Sequence, residues 1–135
     1  KFTKKVQIEA RVLGDLAINH IVPTAITYMT TLLINVQGLK DVFSDTEFER
    51  LAGARKEVIV TISDHISNIK RLVKEMIEER RKANIIEGNY MMAIAYESKV
   101  KPYLDEIRIH IDKLELIVDN EIWPLPKYRE LLFTR

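Results

Sequence analysis

The sequence predicts an all-α fold: a single domain of residues 1–135 in which three long antiparallel helices form an up-down-up bundle. Over three long stretches, apolar residues recur three and four positions apart, which is the spacing of one helix face. Only four glycines and four prolines occur in 135 residues, so few positions interrupt these stretches. Long helices joined by short connections pack side by side, and no strand is expected.

The first predicted helix covers about residues 6–36, and Gly38 is its expected stop. Pro23 and Pro102 both lie inside helical stretches. Because proline lacks a backbone N–H and its ring crowds the preceding turn, we expect a kink at Pro23. Pro102 is either a second kink or the first turn of a new helix.

The second and third predicted helices are amphipathic, and each has one apolar stripe. The stripe of the second helix is Phe48, Leu51, Val58, Ile62, Ile66, Ile69, Val73 and Met76, and that of the third is Val100, Leu104, Ile107, Ile111, Leu114 and Val118. Ser44 or Asp45 is expected to cap the second helix, because either side chain can accept a hydrogen bond from the first turn. This helix continues to about Ala83, and the segment "NIIEG" at residues 84–88 breaks it. The third helix is predicted over about residues 89–119, ahead of a proline-containing tail.

The first helix differs from the other two because residues 16–36 contain no Lys, Arg, Asp or Glu. Apolar residues occur all round it, which is typical of a helix that is buried on most sides or lies in a membrane. Asparagine, threonine, histidine and proline interrupt the run, and they disfavour a membrane. We therefore expect cover from missing parts of the same protein or from another copy of the chain.

Charge and cysteine content exclude several function classes. The chain has 21 basic and 20 acidic residues, so it lacks the concentrated basic excess of a nucleic-acid-binding domain. It has no cysteine, which excludes disulfides, zinc–thiolate sites and thiol nucleophiles. No phosphate-binding loop, dinucleotide fingerprint or catalytic triad pattern is present. The residues of this chain therefore predict no catalytic, cofactor-binding or metal-binding site.

Three histidines, His20, His65 and His110, fall one on each predicted helix. In an antiparallel bundle they would lie at similar heights, and three imidazoles with one water could hold zinc. Each lies beside its apolar stripe rather than on it, and no Glu-x-x-His pair accompanies them. We favour hydrogen-bonded or solvated histidines, with the metal site as the alternative.

The end of the chain, "VDNEIWPLPKYRELLFTR", holds the only tryptophan and two of the four prolines. These prolines force an extended path, so the segment is expected to pack, either back on its own bundle or onto a neighbouring domain or subunit. The residues predicted to form packing interactions lie on the first helix and in this tail: Ile18, Ile26, Leu33, Trp123, Leu125, Tyr128 and Phe133.

Both ends of the chain resemble one known family. "EARVLGDLAINHIVPTAITY" and "VKPYLDEIRIHIDKLELIVDNEIWPLPKYRELLF", with "RRKAN" between them, closely resemble the C-terminal region of type III glutamine synthetases. "IVPTAI" and the final "WPLPKYRELLF" are the specific parts, whereas the middle helix is generic.

This resemblance implies a parent enzyme of nitrogen metabolism, a glutamate–ammonia ligase that uses ATP and magnesium or manganese. The family's catalytic residues would lie in an upstream domain, and no position here matches them. The chain is then expected to be a non-catalytic C-terminal fragment that braces the catalytic domain or the subunit contacts of a large cytoplasmic homo-oligomer. Self-association of the isolated chain is left open, and neither nucleic acid nor membrane is an expected partner.

The alternative to this family assignment is a free-standing helical interaction module. Its groove would be formed by exposed apolar residues of the first helix, namely Val12, Leu16, Ile26 and Leu33.

Overall fold

The computed structural model describes residues 2–119 and 122–125, in which every regular element is helical. The first helix (residues 2–42) consists of Phe2–Leu16, a π-helical turn Ala17–Ile21, and Val22–Val42. The second helix is Asp45–Asn84. The third helix (residues 89–115) consists of Asn89–Ala95, a π-helical turn Tyr96–Val100, and Lys101–Glu115. The predicted all-α class with three long helices is confirmed, and the described residues contain no strand.

Local chemistry sets the boundaries of the second helix. Ser44 precedes it with extended backbone, and the Ser44 hydroxyl accepts a hydrogen bond from the backbone N–H of Glu47 at 3.3 Å, as the capping argument predicts. After Asn84 the helix stops, and Gly88 adopts a φ of +92°. Side chains rarely tolerate this conformation, so a glycine at the break lets the chain reverse into the third helix.

The prediction that Gly38 ends the first helix is wrong, because the helix continues to Val42. A glycine terminates a helix when it turns left-handed, and Gly88 alone has positive φ among the described glycines. The backbone N–H of Phe43 still donates to the Leu39 carbonyl at 3.1 Å. The third helix stops at Glu115, earlier than the predicted residue 119.

A π-helical turn directly precedes each proline that lies inside a helix. Ala17–Ile21 ends two residues before Pro23, and Tyr96–Val100 ends two residues before Pro102. Proline removes one backbone donor and crowds the carbonyl four residues earlier, and the wider π turn gives that carbonyl room. Both helices therefore continue through their prolines, and Pro102 does not begin a separate helix.

One hydrophobic core joins faces of all three helices. The predicted stripe of the third helix is buried at every position: Val100, Leu104, Ile107, Ile111, Leu114 and Val118. The stripe of the second helix is buried from Ile62 through Met76 but only half-buried at Phe48, Leu51 and Val58. The first helix contributes Val6, Ala10, Ala17 and Ile21. The core is therefore best developed where all three helices are present.

Candidate interaction surfaces and the histidine pair

The charge-free part of the first helix is largely uncovered. Ile26 and Leu33 expose 44% and 48% of their surfaces, and Ile34 is more exposed still. In the most apolar 18-residue window of Thr3–Val42, only 22% is buried within the chain. By length and composition this helix could also cross a membrane, a test that core helices of soluble proteins pass as well.

Threonine hydroxyls make this face less polar than its composition implies. The hydroxyls of Thr27, Thr30 and Thr31 donate to the backbone carbonyls of Pro23, Ile26 and Thr27 at 3.1, 3.0 and 3.3 Å. Since each hydroxyl is already bonded within its own helix, the exposed surface has few donors left for water. An uncharged, apolar and exposed helix face is typical of a surface that another protein surface covers.

The uncovered region extends through the connection into the second helix. Between residues 26 and 60, Ala52 is the single fully buried position. Val42, Phe43 and Val60 are exposed, while Phe48 is partly shielded by the Lys56 ammonium, 5.2 Å from its ring centroid. This two-helix segment therefore buries almost none of its side chains within the described part of the chain.

Five of the seven residues that we predicted to form packing interactions lie within the described part of the chain, and they differ in exposure. Ile18 is half-buried and packs against the core, and Trp123, 7% exposed, belongs to that core. Ile26, Leu33 and Leu125 are exposed. Tyr128 and Phe133 lie outside the described residues. In the alternative groove, Val12 is exposed and Leu16 is half-buried.

Two of the three histidines meet. Nδ1 of His65 lies 2.9 Å from Nδ1 of His110, and the ring centroids are 5.1 Å apart. The distance between the ring centroids is close to the sum of the Nδ1–Nδ1 distance and the radii of the two rings. Both Nδ1 atoms therefore lie nearly on the straight line between the two centroids. This geometry suits an N–H···N hydrogen bond, whereas two metal ligands would converge on a point beside that line.

His20 takes no part in the histidine pair and is exposed on the first helix. The described residues contain no group of three or more metal-ligating side chains. The pairing of His65 with His110 was missed by sequence analysis, which could place the two rings only at a common height.

Acid should weaken the contact between His65 and His110. Burial lowers the pKa of His65, and the positive charges of His110 and Lys113 act in the same direction, while Asp64 opposes them. Burial also lowers the pKa of His110, aided by Lys113 and Arg71 and opposed by Glu106. A histidine whose pKa is lowered by folding stabilises the fold above the ordinary pKa of 6.5. That stabilisation is lost as pH falls below 6.5 and through the lowered pKa of the folded protein.

We therefore expect acidification from about pH 7.5 to about pH 5.5 to lower the melting temperature of the wild type more than that of a His65→Asn/His110→Asn variant. The two decreases should differ by about 3 °C. Asparagine keeps a donor and an acceptor near Nδ1 without titrating in this range. His20→Asn is the control and should leave the wild-type pH dependence unchanged. Equal acid losses in the wild type and the double variant would contradict the expectation.

A polar junction at one end of the bundle was also missed by sequence analysis. The Tyr96 hydroxyl donates to Oδ1 of Asn84, the last residue of the second helix. The same oxygen accepts a hydrogen bond from Nε2 of Gln7 at 3.3 Å. One amide thus connects all three helices, and its only sequence signal was an asparagine at a predicted helix end.

Comparison with known proteins identifies the family of this chain. The family model described as "Glutamine synthetase C-terminal domain" matches residues 1–40. The whole chain is 57% identical over 135 residues to a protein of Bacteroides fragilis named glutamine synthetase. It is 21% identical over 134 residues to a protein of Dictyostelium discoideum named type-3 glutamine synthetase. The chain spans 18% of the length of each relative. The chain belongs to the family of glutamine synthetase C-terminal domains.

Proposed function

We propose that this chain is the non-catalytic C-terminal helical domain of a type III glutamine synthetase and that it braces the catalytic domain or the subunit contacts. The observation that carries the proposal is the 57% identity over the whole chain to a protein named glutamine synthetase, of which the chain spans only 18%. The second relative, a protein named type-3 glutamine synthetase, supports the type III assignment.

The parent protein would join ammonia to glutamate with ATP, and magnesium or manganese would hold the phosphates. It would be a cytoplasmic homo-oligomer. The nucleotide and metal ions for this reaction would be bound outside the present chain, whose partners would be the catalytic domain and neighbouring subunits.

An up-down-up arrangement of the three helices is part of the proposal. Contacts between the second and third helices support it, because residue numbers fall along one helix as they rise along the other: Asn84 meets Tyr96, and His65 meets His110. The hydrogen bond between Gln7 and Asn84 brings the beginning of the first helix to the end of the second, which supports an antiparallel arrangement of these two helices. The π-helical turn before Pro23 is consistent with a change of helix direction there.

The bracing surface would be the uncovered face of the first helix around Ile26 and Leu33. The face is apolar, carries no charge and exposes about half of each of these side chains. Burial of apolar area would favour its association with another domain or subunit, and the absence of charge removes the desolvation cost that ionic groups would add.

The direct test compares the chain with the longer protein from the same source. An antibody raised to this chain should detect a polypeptide several times larger than 15.8 kDa, and that protein should form glutamine from glutamate, ammonia, ATP and magnesium. The isolated chain should form none. A band near 15.8 kDa would instead support the free-standing interaction module, and turnover by the pure chain would refute a non-catalytic role.

A substitution in the longer protein tests the bracing surface. Leu33→Asp should weaken oligomer assembly or domain docking, measured by light scattering and limited proteolysis, because a carboxylate would be buried in an apolar contact. Ile109→Asp is the matched control, since Ile109 is similarly exposed but lies on the third helix. Equal effects of the two substitutions, or no effect of Leu33→Asp, would contradict the assignment of this face.

A further inference from the structure

A cavity lined by cationic side chains lies where the beginning of the first helix meets the end of the second. It has a volume of about 460 Å³, and its polar lining consists of three cations and two amides: Lys4, Arg11, Arg80, Gln7 and Asn84. The remaining walls are apolar, formed by Ile8 and Met92. None of the described lining residues is an aspartate or a glutamate, so the lining side chains carry a net positive charge.

The three cations have no anionic partner among the described residues. By contrast, the two cations that follow Arg80 in sequence both form ion pairs. Arg81 pairs with Glu78 at 2.6 Å, and Lys82 pairs with Glu79 at 3.6 Å. Nε of Arg80 is buried and has no hydrogen-bond acceptor within residues 2–119 and 122–125. Buried polar groups are nearly always bonded, so an unsatisfied guanidinium N–H beside a cavity with no described acidic residue points to an acceptor supplied from outside the described residues.

A second cavity adjoins the cationic one and is mainly apolar. It has a volume of about 540 Å³, and it shares Lys4, Gln7 and Met92 with the first. Tyr90 lies on its wall with 76% of its surface exposed. An exposed tyrosine ring beside a methionine offers a flat apolar surface on which a planar ring can stack.

We propose that the two cavities together bind a nucleoside phosphate, with the phosphate on Lys4, Arg11 and Arg80 and the base against Tyr90 and Met92. Guanidinium groups match phosphate oxygens in pairs of hydrogen bonds, and the Arg80 side chain, whose Nε lacks an acceptor, lines this cavity. The amides of Gln7 and Asn84 add donors beside the phosphate. This site is separate from the glutamine-forming chemistry of the proposed function and does not depend on it.

The test measures binding of AMP, inorganic phosphate and adenosine to the 135-residue chain by calorimetry and amide NMR. AMP should bind at least about tenfold more tightly than either fragment, because the phosphate and the base contribute together. Its affinity should fall steeply with added salt. The amide signals that move should be those of residues 4–11, 80–84 and 90–92.

Arg80→Gln should reduce AMP affinity at least about tenfold, since it removes charge-assisted hydrogen bonds to phosphate. Arg81→Gln is the matched control: it removes the same charge one position away, from an arginine that does not line the cavity, and it should leave affinity unchanged. Circular dichroism checks that both variants are folded.

Three results would overturn the proposal. The first is no saturable binding of AMP at millimolar concentrations. The second is equal binding of AMP and inorganic phosphate, which would mean that the base is not recognised. The third is equal loss of affinity in Arg80→Gln and Arg81→Gln, which would mean that AMP responds only to the net charge of the chain.

Discussion

Replacement of Tyr96 by alanine should lower the free energy of unfolding by about 4 kcal/mol. Tyr96 is completely buried and is the largest fully buried side chain of the described core. The substitution would leave a cavity where the π-helical turn of the third helix faces the core. It would also remove the hydroxyl that donates to Asn84. Urea unfolding followed by far-ultraviolet circular dichroism measures the change.

Two further variants separate the contributions of the Tyr96 ring and hydroxyl. Tyr96→Phe removes only the hydroxyl and should cost about 1–2 kcal/mol, because Asn84 keeps its hydrogen bond from Gln7 but loses the stronger donor. Tyr90→Ala is the matched exposed control and should change stability by less than about 0.5 kcal/mol. If Tyr96→Ala and Tyr90→Ala cost the same, Tyr96 is not part of the core.

Replacement of Trp123 by alanine should lower the free energy of unfolding by at least about 3 kcal/mol. Trp123 belongs to the core cluster although it lies beyond the end of the third helix. Its indole therefore attaches the proline-containing segment to the bundle. Because it is the only tryptophan, its fluorescence should be blue-shifted in the folded protein and should shift to longer wavelength on unfolding.

Leu125→Ala provides the control for Trp123→Ala, because Leu125 lies in the same segment but is exposed. Leu125→Ala should lower the free energy of unfolding by well under half as much as Trp123→Ala does. Trp123→Ala could instead leave the isolated chain as stable as the wild type but weaken assembly of the longer protein. That result would mean that Trp123 docks on another domain, and it would contradict the packing of Trp123 within this bundle.

Hydrophobic periodicity predicted the third helix well because the rule is local. Residues three and four positions apart share a helix face whatever the surroundings, and every residue of the predicted stripe is buried. The cap at Ser44 and the break at Gly88 were predictable for the same reason: each depends on the chemistry of a few neighbouring residues. Gly38 shows the limit of such rules, since nothing in the sequence around it reveals that it stays helical.

The sequence alone determined the helical class, the stripes that form the core and the family resemblance. The tertiary structure decided which side chains meet across helices: His65 with His110 but not His20, and Gln7 and Tyr96 on one oxygen of Asn84. It also decided that Trp123 is covered while Ile26 and Leu33 are not. The physical reason is that periodicity defines a face on each helix, whereas contacts between helices depend on their relative height and rotation, which only packing of the whole chain sets.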